Sequence, residues 1–398
     1  MKILVINCGS SSLKFELLAI DPPGLRRDRL ARGVVQEIGP RAHTVMSAAD
    51  GRSIDAPGPV ADHAAAALSV IAWLRAGDPH LALDAIAHRI VHGGDRVRAP
   101  MIADAGVIAA LEEASRFAPL HNPPALATIR ALSASVPGVP AIVVADTAFH
   151  QTIPPAARTY AIPREVAARL GIRRFGFHGV GHSWMLDRYA EISGRPAAAL
   201  NLITLQLGAG CSVAAIRAGR SVDTSMGLTP LEGLMMATRS GDLDPAILNY
   251  LGESEKLSPA AVERMLNRES GLLGVSGVSG DLRELDAAAP SNPAAALAIE
   301  MFCYRARKYV GAYAAVLGRV DAVIFGAGIG EHSVAVRARI CAGLENLGIV
   351  LDESANRAAD GREACFSAAG SPVALWVVPL DEEYQIARGA AQLLARAA

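Results

Sequence analysis

The chain has 398 residues, of which 51% are apolar and 19% are charged, and its net charge at pH 7 is −1. This length exceeds what one hydrophobic core ordinarily supports, so we expect two domains. A near-neutral chain has no overall positive field to hold nucleic acid or an anionic membrane surface, which excludes both as partners. No uncharged apolar run reaches the roughly 18 residues that a membrane-spanning helix needs.

The cysteines indicate a reducing environment. All five are scattered along the chain, and none forms a Cys-x-x-Cys pair. An odd, dispersed set argues against a disulfide framework and against a structural zinc site. The sequence also starts with a strand-like run, without the basic and apolar regions of a signal peptide. We therefore expect a cytoplasmic protein.

In the first half of the chain, predicted strands alternate with predicted helices. Apolar runs typical of strands lie at Lys2–Ile6, Leu13–Leu18, Gly33–Ile38, Ala85–Val91 and Ala141–Ala145. Helical periodicity covers Ala61–Ala76 and Gly106–Phe117. This alternation predicts an α/β fold.

The second half begins with a segment that repeats the start of the chain. Leu202–Val213 reads as strand, glycine turn and strand, and aligning Gly9 with Gly208 places the two hairpins half a chain length apart. We interpret this repeat as a duplication that produced two related domains. The elements predicted after it are helices at Pro245–Leu251, Pro259–Glu269, Ala294–Leu317 and Glu382–Ala397, strands at Ala322–Phe325 and Val373–Val378, and a glycine-rich loop at Gly271–Gly280.

The first glycine-serine turn, within Asn7–Lys14, is a candidate phosphate loop. Its hydroxyls and backbone N–H groups can surround phosphate oxygens, and Lys14 on the returning strand can neutralise them. Asn7 offers an amide oxygen suited to Mg²⁺ or its water shell. The turn is not a Walker A loop, because no Gly-Lys-Ser/Thr sequence occurs in the chain. A plain polar hairpin is an equally good interpretation of this segment alone.

Four further side chains have the chemistry that phosphoryl transfer requires. Arg89 ends an apolar run, and arginine suits bidentate recognition of a carboxylate or phosphate. Asp146 follows a buried strand, at the end where ligands bind in open α/β sheets. His178 and Arg239 lie beside glycines and could place charge against the moving phosphoryl group. Taken singly, each of the four could instead have a surface, turn or capping role.

Two other motifs admit a functional and a structural interpretation. Gly326–Glu331 follows a predicted strand but reads GxGxG rather than the dinucleotide fingerprint GxGxxG. We interpret it as a close backbone approach to a nucleoside, with an ordinary strand-to-helix turn as the alternative. His121 lies in the proline-bounded turn Pro119–Pro124, which could equally be structural.

Together these segments resemble the acetate kinase family. Ile3–Phe15 resembles its N-terminal signature, and Arg173–Gly179 resembles its second signature. Further matches follow in order at His88–Gly94, Pro119–Pro124, Asp146–Pro154, Asp223–Asp244, Gly271–Leu285, Phe325–Glu331 and Pro379–Arg388.

The resemblance implies two related actin-like ATPase (ribonuclease H-like) domains with an interdomain cleft, in a homodimer. The first domain would comprise 1–148 with 383–398, and the second, 149–382, would carry the nucleotide site. The implied activity is that of a phosphotransferase with a carboxyl group as acceptor. It would transfer a phosphoryl group directly and in line between ATP and acetate, giving ADP and acetyl phosphate, with Mg²⁺ or Mn²⁺.

The resemblance also implies a role for each matching residue. The catalytic residues would be Asp146, His178 and Arg239, and the metal residues Asn7 and Glu382. Arg89 would bind the substrate carboxylate, and an apolar pocket for the methyl group would comprise Val91, Leu120, Phe177 and Pro230. Phosphate binding would involve Ser10, Ser12, Lys14, His121, Gln206, Leu207, Gly208, Ala209 and Gly210. Adenosine would be framed by Asp281, Leu282, Arg283, Gly328, Ile329, Gly330, Glu331 and His332.

Several positions depart from the family pattern on the side of the phosphoryl donor. The family's phosphate loop usually reads His-Leu-Gly-Asn-Gly-Ser-Ser, whereas Gln206–Ser212 reads Gln-Leu-Gly-Ala-Gly-Cys-Ser, and His332 stands for Asn. The open alternatives are a kinase of propionate or butyrate, a kinase with a donor other than ATP, and a nucleotide-gated binding module without catalysis.

Overall fold

A computed structural model describes residues 1–21 and 27–397. Pro22–Arg26, in the Pro/Gly/Arg-rich stretch after the first predicted hairpin, and Ala398, the last residue of the predicted first domain, lie outside the described residues. The chain folds into two compact units. Unit 1 comprises Met1–Phe149 and Asp381–Ala398, and unit 2 comprises His150–Leu380.

Within the described residues, unit 1 contains one eight-stranded sheet in the order β5-β4-β3-β2-β1-β6-β8-β7. The strands are β1 (Lys2–Cys8), β2 (Leu13–Ile20), β3 (Arg27–Gln36), β4 (His43–Ala48), β5 (Ser53–Pro57), β6 (Ala85–Ile90), β7 (Met101–Ile102) and β8 (Ala141–Ala145). β1 pairs antiparallel with β2 and parallel with β6, which pairs parallel with β8. β1 is a nearly continuous apolar run because both of its faces are covered.

The helices of unit 1 are α1 (His63–Gly77), α2 (Ala105–Ala114), α3 (Asn122–Ser135) and α15 (Glu382–Ala397). α1 and α3 pack on each other and share a core with the apolar side chains of β1. α15 contacts β1, β2 and β6. The predicted turn at Pro119–Pro124 runs directly into α3, since proline is tolerated in a first helical turn whose N–H groups have no partner.

Unit 2 repeats the central strand arrangement of unit 1. Its strands are β9 (Leu202–Leu207), β10 (Cys211–Arg217), β11 (Arg220–Thr224), β12 (Ala322–Gly326), β13 (Ala364–Cys365) and β14 (Ala374–Val377). For the residues described, their order is β11-β10-β9-β12-β14-β13. β11, β10 and β9 form an antiparallel meander, and β12 and β14 add parallel strands beside β9. The order β3-β2-β1-β6-β8 in unit 1 is the same, as the predicted duplication requires.

The helices of unit 2 are α4 (Pro155–Arg158), α5 (Arg164–Leu170), α6 (Gly179–Ser193), α7 (Ala246–Ser254), α8 (Pro259–Arg268), α9 (Gly271–Ser276), α10 (Leu282–Ala288), α11 (Pro293–Leu317), α12 (Ala327–His332), α13 (Val334–Cys341) and α14 (Glu353–Ala358). Two predicted glycine loops are helical here. Gly271–Gly280 contains α9, and Gly326–Glu331 passes into α12 immediately after β12.

The lengths of the helices and the state of the cysteines both bear on the predictions from composition. Across 1–21 and 27–397, no helix is long and apolar enough to cross a membrane. All five cysteines are free thiols, as expected from their scattered positions.

Candidate active site

A row of polar residues crosses the sheet of unit 1 near the end of β1. Asn7 of β1 pairs with Lys14 of β2 on one side and with Arg89 of β6 on the other. Directly paired residues share one face of a sheet, so the three residues lie on the same face. Asp146 comes directly after β8, the next strand beside β6. The sheet register therefore assembles these four predicted site residues.

Arg89 is bound by two other predicted site residues. Its Nε donates to Asp146 Oδ1 at 3.0 Å, and its Nη2 donates to Asp146 Oδ2 at 2.6 Å. Its Nη1 donates to Asn7 Oδ1 at 3.0 Å, and Asn7 Nδ2 donates to Glu383 Oε1 at 3.1 Å. The first pair has the bidentate geometry that makes arginine–carboxylate contacts strong and directional. The family resemblance implies that Arg89 binds the substrate carboxylate and that Asp146 is catalytic, but it does not predict that the two side chains bind each other.

The charges around Arg89 keep its guanidinium protonated. Burial alone would lower the pKa of Arg89, but the negative charges of Asp146 and then Glu382 and Glu383 outweigh it and raise this pKa. The predicted metal residue Glu382 begins α15, next to Glu383. The oxygens around Arg89 thus form a hard, acidic donor set whose charge is partly balanced by one cation.

The other predicted residues of unit 1 lie at more open positions. Ser10 and Lys14 are exposed at the β1–β2 hairpin, and Ser12 is half-buried there. His121 precedes α3 at its N-terminal cap, beside Leu120, which is 54% exposed. The hairpin therefore presents hydroxyls and a cation toward its surroundings, as a phosphate loop must.

In unit 2, His178 and Arg239 converge on Gly210. A Cβ atom added to Gly210 would lie 3.5 Å from His178 Nε2 and 3.5 Å from Arg239 Nη1. Gly210 belongs to the predicted phosphate loop, where the Cys211 thiol donates to the Gly208 carbonyl at 3.1 Å. Burial raises the pKa of Cys211 to about 12, so this thiol stays protonated. The structure thus brings together three predicted site residues that belong to separate motifs of the sequence.

Arg239 is a half-buried cation without an acidic partner among the described residues. Its Nη1 donates to the Pro230 carbonyl at 3.1 Å and lies 3.6 Å from Met236 Sδ. Burial lowers the pKa of Arg239. An arginine held this way is suited to an anionic ligand, because ligand binding would supply the missing negative charge.

His178 lies in a strained turn at the start of α6. Its φ of 59° is in the left-handed region, which is uncommon for a residue other than glycine. The preceding carbonyl, of Phe177, lies 3.0 Å from His150 Nε2, and His178 Nδ1 lies 2.9 Å from Ser212 Oγ. These contacts on both sides of the turn hold the imidazole in place.

The predicted apolar pocket is not visible as a cluster within either unit. Val91 and Leu120 belong to unit 1, whereas Phe177 and Pro230 belong to unit 2. Phe177 is only 1% exposed, so its side chain is part of the core.

A cavity of about 910 Å³ in unit 2 is large enough for a nucleotide. Eight of the residues predicted for the donor line it: Gly208, Ala209, Asp281, Leu282, Arg283, Gly328, Ile329 and His332. Sequence reasoning missed five others, Ala237, Gly280, Asp286, Ser333 and Asp360. Gly280 and Ser333 adjoin predicted residues, but no pattern in the sequence indicated Asp360, whose carboxylate lies 3.2 Å from His332 Nδ1.

Five residues predicted for the donor do not line this cavity: Gln206, Leu207, Gly210, Gly330 and Glu331. Leu207 is fully buried, and the Glu331 carboxylate accepts a hydrogen bond from the Leu380 backbone at 3.0 Å. The side chain of Leu207 thus packs in the core and that of Glu331 binds backbone, and the assignment of these two residues to the nucleotide stays a prediction.

A buried arginine that sequence reasoning missed supports the wall of the cavity. Arg337 is fully buried and its Nη1 donates to the carbonyls of Gly330 at 2.9 Å and Glu331 at 2.7 Å. Its Nε donates to Asn356 Oδ1 at 2.8 Å. These carbonyls end α12, so Arg337 holds the helix that carries Gly328 and Ile329.

Comparison with known proteins decides the family. The sequence profile of the Acetokinase family matches residues 2–388. The chain belongs to this family. It is 46% identical over 390 residues to the acetate kinase of Clavibacter michiganensis subsp. michiganensis, covering 97% of each chain.

Solved structures of the acetokinase family agree with this assignment. The crystal structure of Porphyromonas gingivalis acetate kinase matches with a TM-score of 0.91 and 40% identity, covering 98% of this chain and 99% of that one. A propionate kinase from Francisella tularensis subsp. tularensis matches with a TM-score of 0.89 and 36% identity, covering 98% of both. The predicted family, the α/β fold with two related domains, and the predicted class of carboxyl-acceptor phosphotransferase are confirmed.

Proposed function

We propose that this member of the acetokinase family is an acetate kinase that reversibly converts ATP and acetate into ADP and acetyl phosphate. The observation that carries the proposal is the meeting of His178 and Arg239 at Gly210. Gly210 directly follows Ala209, which lines the cavity suited to a nucleotide. Two donors are therefore held next to where the terminal phosphates of a bound nucleotide would lie.

Unit 2 would stabilise the charge of the transferring phosphoryl group. Phosphoryl transfer needs little covalent help from a protein and depends on charge placed against the equatorial oxygens. Arg239 has no acidic partner within the described ranges, so its full charge is available to these oxygens, and His178 adds a second polar contact. One preorganised donor of this kind contributes roughly 3 kcal/mol to transition-state stabilisation.

Unit 1 would bind the acceptor. The contacts of Arg89 with Asp146 and Asn7 use one N–H of each terminal nitrogen. The second N–H of each remains for the acetate carboxylate, and the side chain is 16% exposed. Asp146 and Asn7 orient the guanidinium, so acetate would meet an arginine already fixed in direction.

The residues around Arg89 also fit Mg²⁺ or Mn²⁺. Asn7, Asp146 and Glu382 offer hard oxygen donors, and Mg²⁺ characteristically uses one or two carboxylates together with waters and substrate phosphates. No group of three or more His, Cys, Asp or Glu side chains in the described part of the chain could hold a metal alone. We propose that these three residues hold the ion, which would neutralise charge on the nucleotide phosphates.

Propionate is the second candidate substrate, because a propionate kinase matches this chain over nearly its whole length. One methylene group changes binding in an apolar pocket by only roughly 1–3 kcal/mol, so the same site could process both acids.

The proposed activity is tested by measuring acyl hydroxamate formed from acetate, propionate and butyrate with ATP, GTP or pyrophosphate. We expect the highest kcat/KM with acetate and ATP. Arg239→Ala should abolish most of the activity, whereas Arg220→Ala, which removes an exposed arginine of the same unit, should not. Absence of acyl phosphate with every pair would refute the kinase assignment, and full activity of Arg239→Ala would refute the mechanism.

We also propose a homodimer of a cytoplasmic protein, in which units 1 and 2 are the two predicted domains. The helix α7 supports the dimer, because none of its residues is buried while Ile247, Leu248 and Tyr250 are 41%, 44% and 70% exposed. An apolar surface of this kind commonly marks a protein interface. Light scattering after gel filtration should report a dimer for the wild type and a monomer for Tyr250→Glu; a monomeric wild type would contradict the proposal.

A further inference from the structure

A chain of buried hydrogen bonds leads away from His178 into unit 2. His178 Nδ1 lies 2.9 Å from Ser212 Oγ, and the same oxygen lies 2.8 Å from His182 Nε2. His182 Nδ1 in turn lies 2.7 Å from Thr204 Oγ1. Ser212, His182 and Thr204 are each 0% exposed. Water therefore does not reach these groups, and their protons must be shared among themselves.

The local fold explains why these four residues meet. His178 and His182 are four residues apart, which places both on one side of the first turn of α6. Thr204 of β9 pairs with Ala214 of β10, two residues beyond Ser212, so both hydroxyls lie on one face of the hairpin. α6 contacts β9, and the two imidazoles thus reach the two hydroxyls.

We propose that Thr204, His182 and Ser212 form a one-directional hydrogen-bond chain that holds His178 as the tautomer with its proton on Nε2. The proposal deepens, and rests on, the proposed role of His178 in phosphoryl transfer. The three residues would be positioning residues, since they act on the substrate only through His178.

Thr204 determines the direction of the chain. Within the described residues, the hydrogen-bond partner of its hydroxyl is His182 Nδ1. A buried hydroxyl whose proton has no acceptor loses its hydration without compensation. Thr204 must therefore donate to His182 Nδ1, which makes this nitrogen an acceptor.

The donor role of Thr204 then determines which nitrogens of His182 and His178 carry a proton. Burial, with smaller contributions from His150 and His178, lowers the pKa of His182 well below its usual value, so the ring is neutral and carries one N–H. Because Nδ1 accepts, the proton lies on Nε2 and is donated to Ser212 Oγ. The single hydroxyl proton of Ser212 is then donated to His178 Nδ1, which leaves the proton of a neutral His178 on Nε2.

This tautomer is the one that phosphoryl transfer requires. His178 Nε2 and Arg239 Nη1 approach the same point at Gly210, each 3.5 Å from the position of an added Cβ atom. A proton on Nε2 makes His178 a donor to a phosphoryl oxygen placed there. The opposite tautomer would present a lone pair to the same negatively charged oxygen.

Thr204→Val tests the chain by removing the donor while keeping the shape of the side chain. We expect kcat to fall roughly 10- to 100-fold, which is less than the roughly 100- to 1000-fold loss seen when a preorganised donor is itself removed. KM for ATP and for acetate should stay within about twofold, because the chain acts in the transition state. Thr204→Ser, which keeps the hydroxyl, should restore kcat.

The matched control is Thr224→Val. Thr224 is also fully buried in the sheet of unit 2, but its hydroxyl donates to the Val213 carbonyl rather than to a histidine ring. A loss of kcat in Thr204→Val but not in Thr224→Val supports the chain. Equal losses in both variants, or unchanged kcat in Thr204→Val, would overturn it.

A spectroscopic readout separates this proposal from the proposed function. In ¹⁵N-histidine-labelled wild-type protein, the signals of His178 are those that disappear in His178→Gln. We expect protonated Nε2 and unprotonated Nδ1 for this ring, and mixed tautomers in Thr204→Val. A proton on Nδ1 in the wild type would refute the chain, even in a protein that forms acetyl phosphate. If no acyl phosphate is formed, the proposed function fails, but the tautomer still tests the chain.

Discussion

His88 of β6 should make unit 1 sensitive to acid. Its ring is 1% exposed, and neither ring nitrogen has a hydrogen-bond partner among the described residues. Its strand neighbours in register are the apolar Ile6 and Val143. Burial lowers the pKa of His88 from 6.5 to about 3. The folded protein therefore holds this ring neutral over a pH range in which the unfolded chain protonates it.

The sign and size of the effect follow from this difference. Between pH 6.5 and about pH 3 the unfolded state binds one more proton than the folded state, so the free energy of unfolding decreases as pH falls. One pKa unit corresponds to about 1.4 kcal/mol, so His88 should remove about 2 kcal/mol of stability between pH 7 and pH 5. The stabilising contribution of the neutral ring is complete above its unfolded pKa.

His88→Leu removes the contribution of His88 to the pH dependence of stability, and it also removes a buried N–H without an acceptor. The measurement is urea unfolding at pH 7 and pH 5, followed by fluorescence of Trp73 after Trp184→Phe and Trp376→Phe substitutions. The difference in the free energy of unfolding between pH 7 and pH 5 should be about 2 kcal/mol smaller in His88→Leu than in the wild type. His80→Gln, at an exposed position, should leave this difference in the free energy of unfolding unchanged. An unchanged pH dependence in His88→Leu would refute the reasoning from burial.

Three further substitutions test the site in unit 2. Gly210→Ala adds a methyl group 3.5 Å from His178 Nε2 and Arg239 Nη1. Because this methyl group would occupy the point that both side chains approach, kcat should fall roughly 10- to 100-fold. Calorimetry should show an unchanged Tm. Ala209→Asn adds an amide to the nucleotide cavity, so KM for ATP should decrease and KM for acetate should not change; an unchanged KM for ATP would contradict this. Arg337→Met leaves buried carbonyls unpaired and should lower the free energy of urea unfolding by about 3 kcal/mol.

Local sequence patterns were sufficient to predict most strands and the chemistry of the site. Ala141–Ala145 forms β8 with the predicted limits, and Ala322–Phe325 forms β12 with one further residue. Such strands are recognisable because a continuous apolar run can be buried on both faces. The family resemblance selected His178 and Arg239, which the structure places together.

Glycine-rich segments were where sequence reasoning failed. Gly271–Gly280 was expected to be a loop, but α9 forms because Leu272 N and Leu273 N donate at 2.9 Å to the carbonyls of Met236 and Ala237. Gly271 allows this approach, since its φ is +63° and a Cβ atom would lie 2.2 Å from the Met236 carbonyl oxygen. The partners lie more than thirty positions away, so local propensity contains no information about them.

The sequence by itself thus determined the family, the alternation of strands and helices, and the residue types that can handle a phosphoryl group and a carboxylate. Only the tertiary structure decided how those side chains are paired: Arg89 with Asp146, and His178 with Ser212. It also revealed His182 and Thr204 behind His178. The physical reason is that burial and hydrogen-bond direction depend on neighbours from distant parts of the chain, whereas periodicity and composition report only what is local.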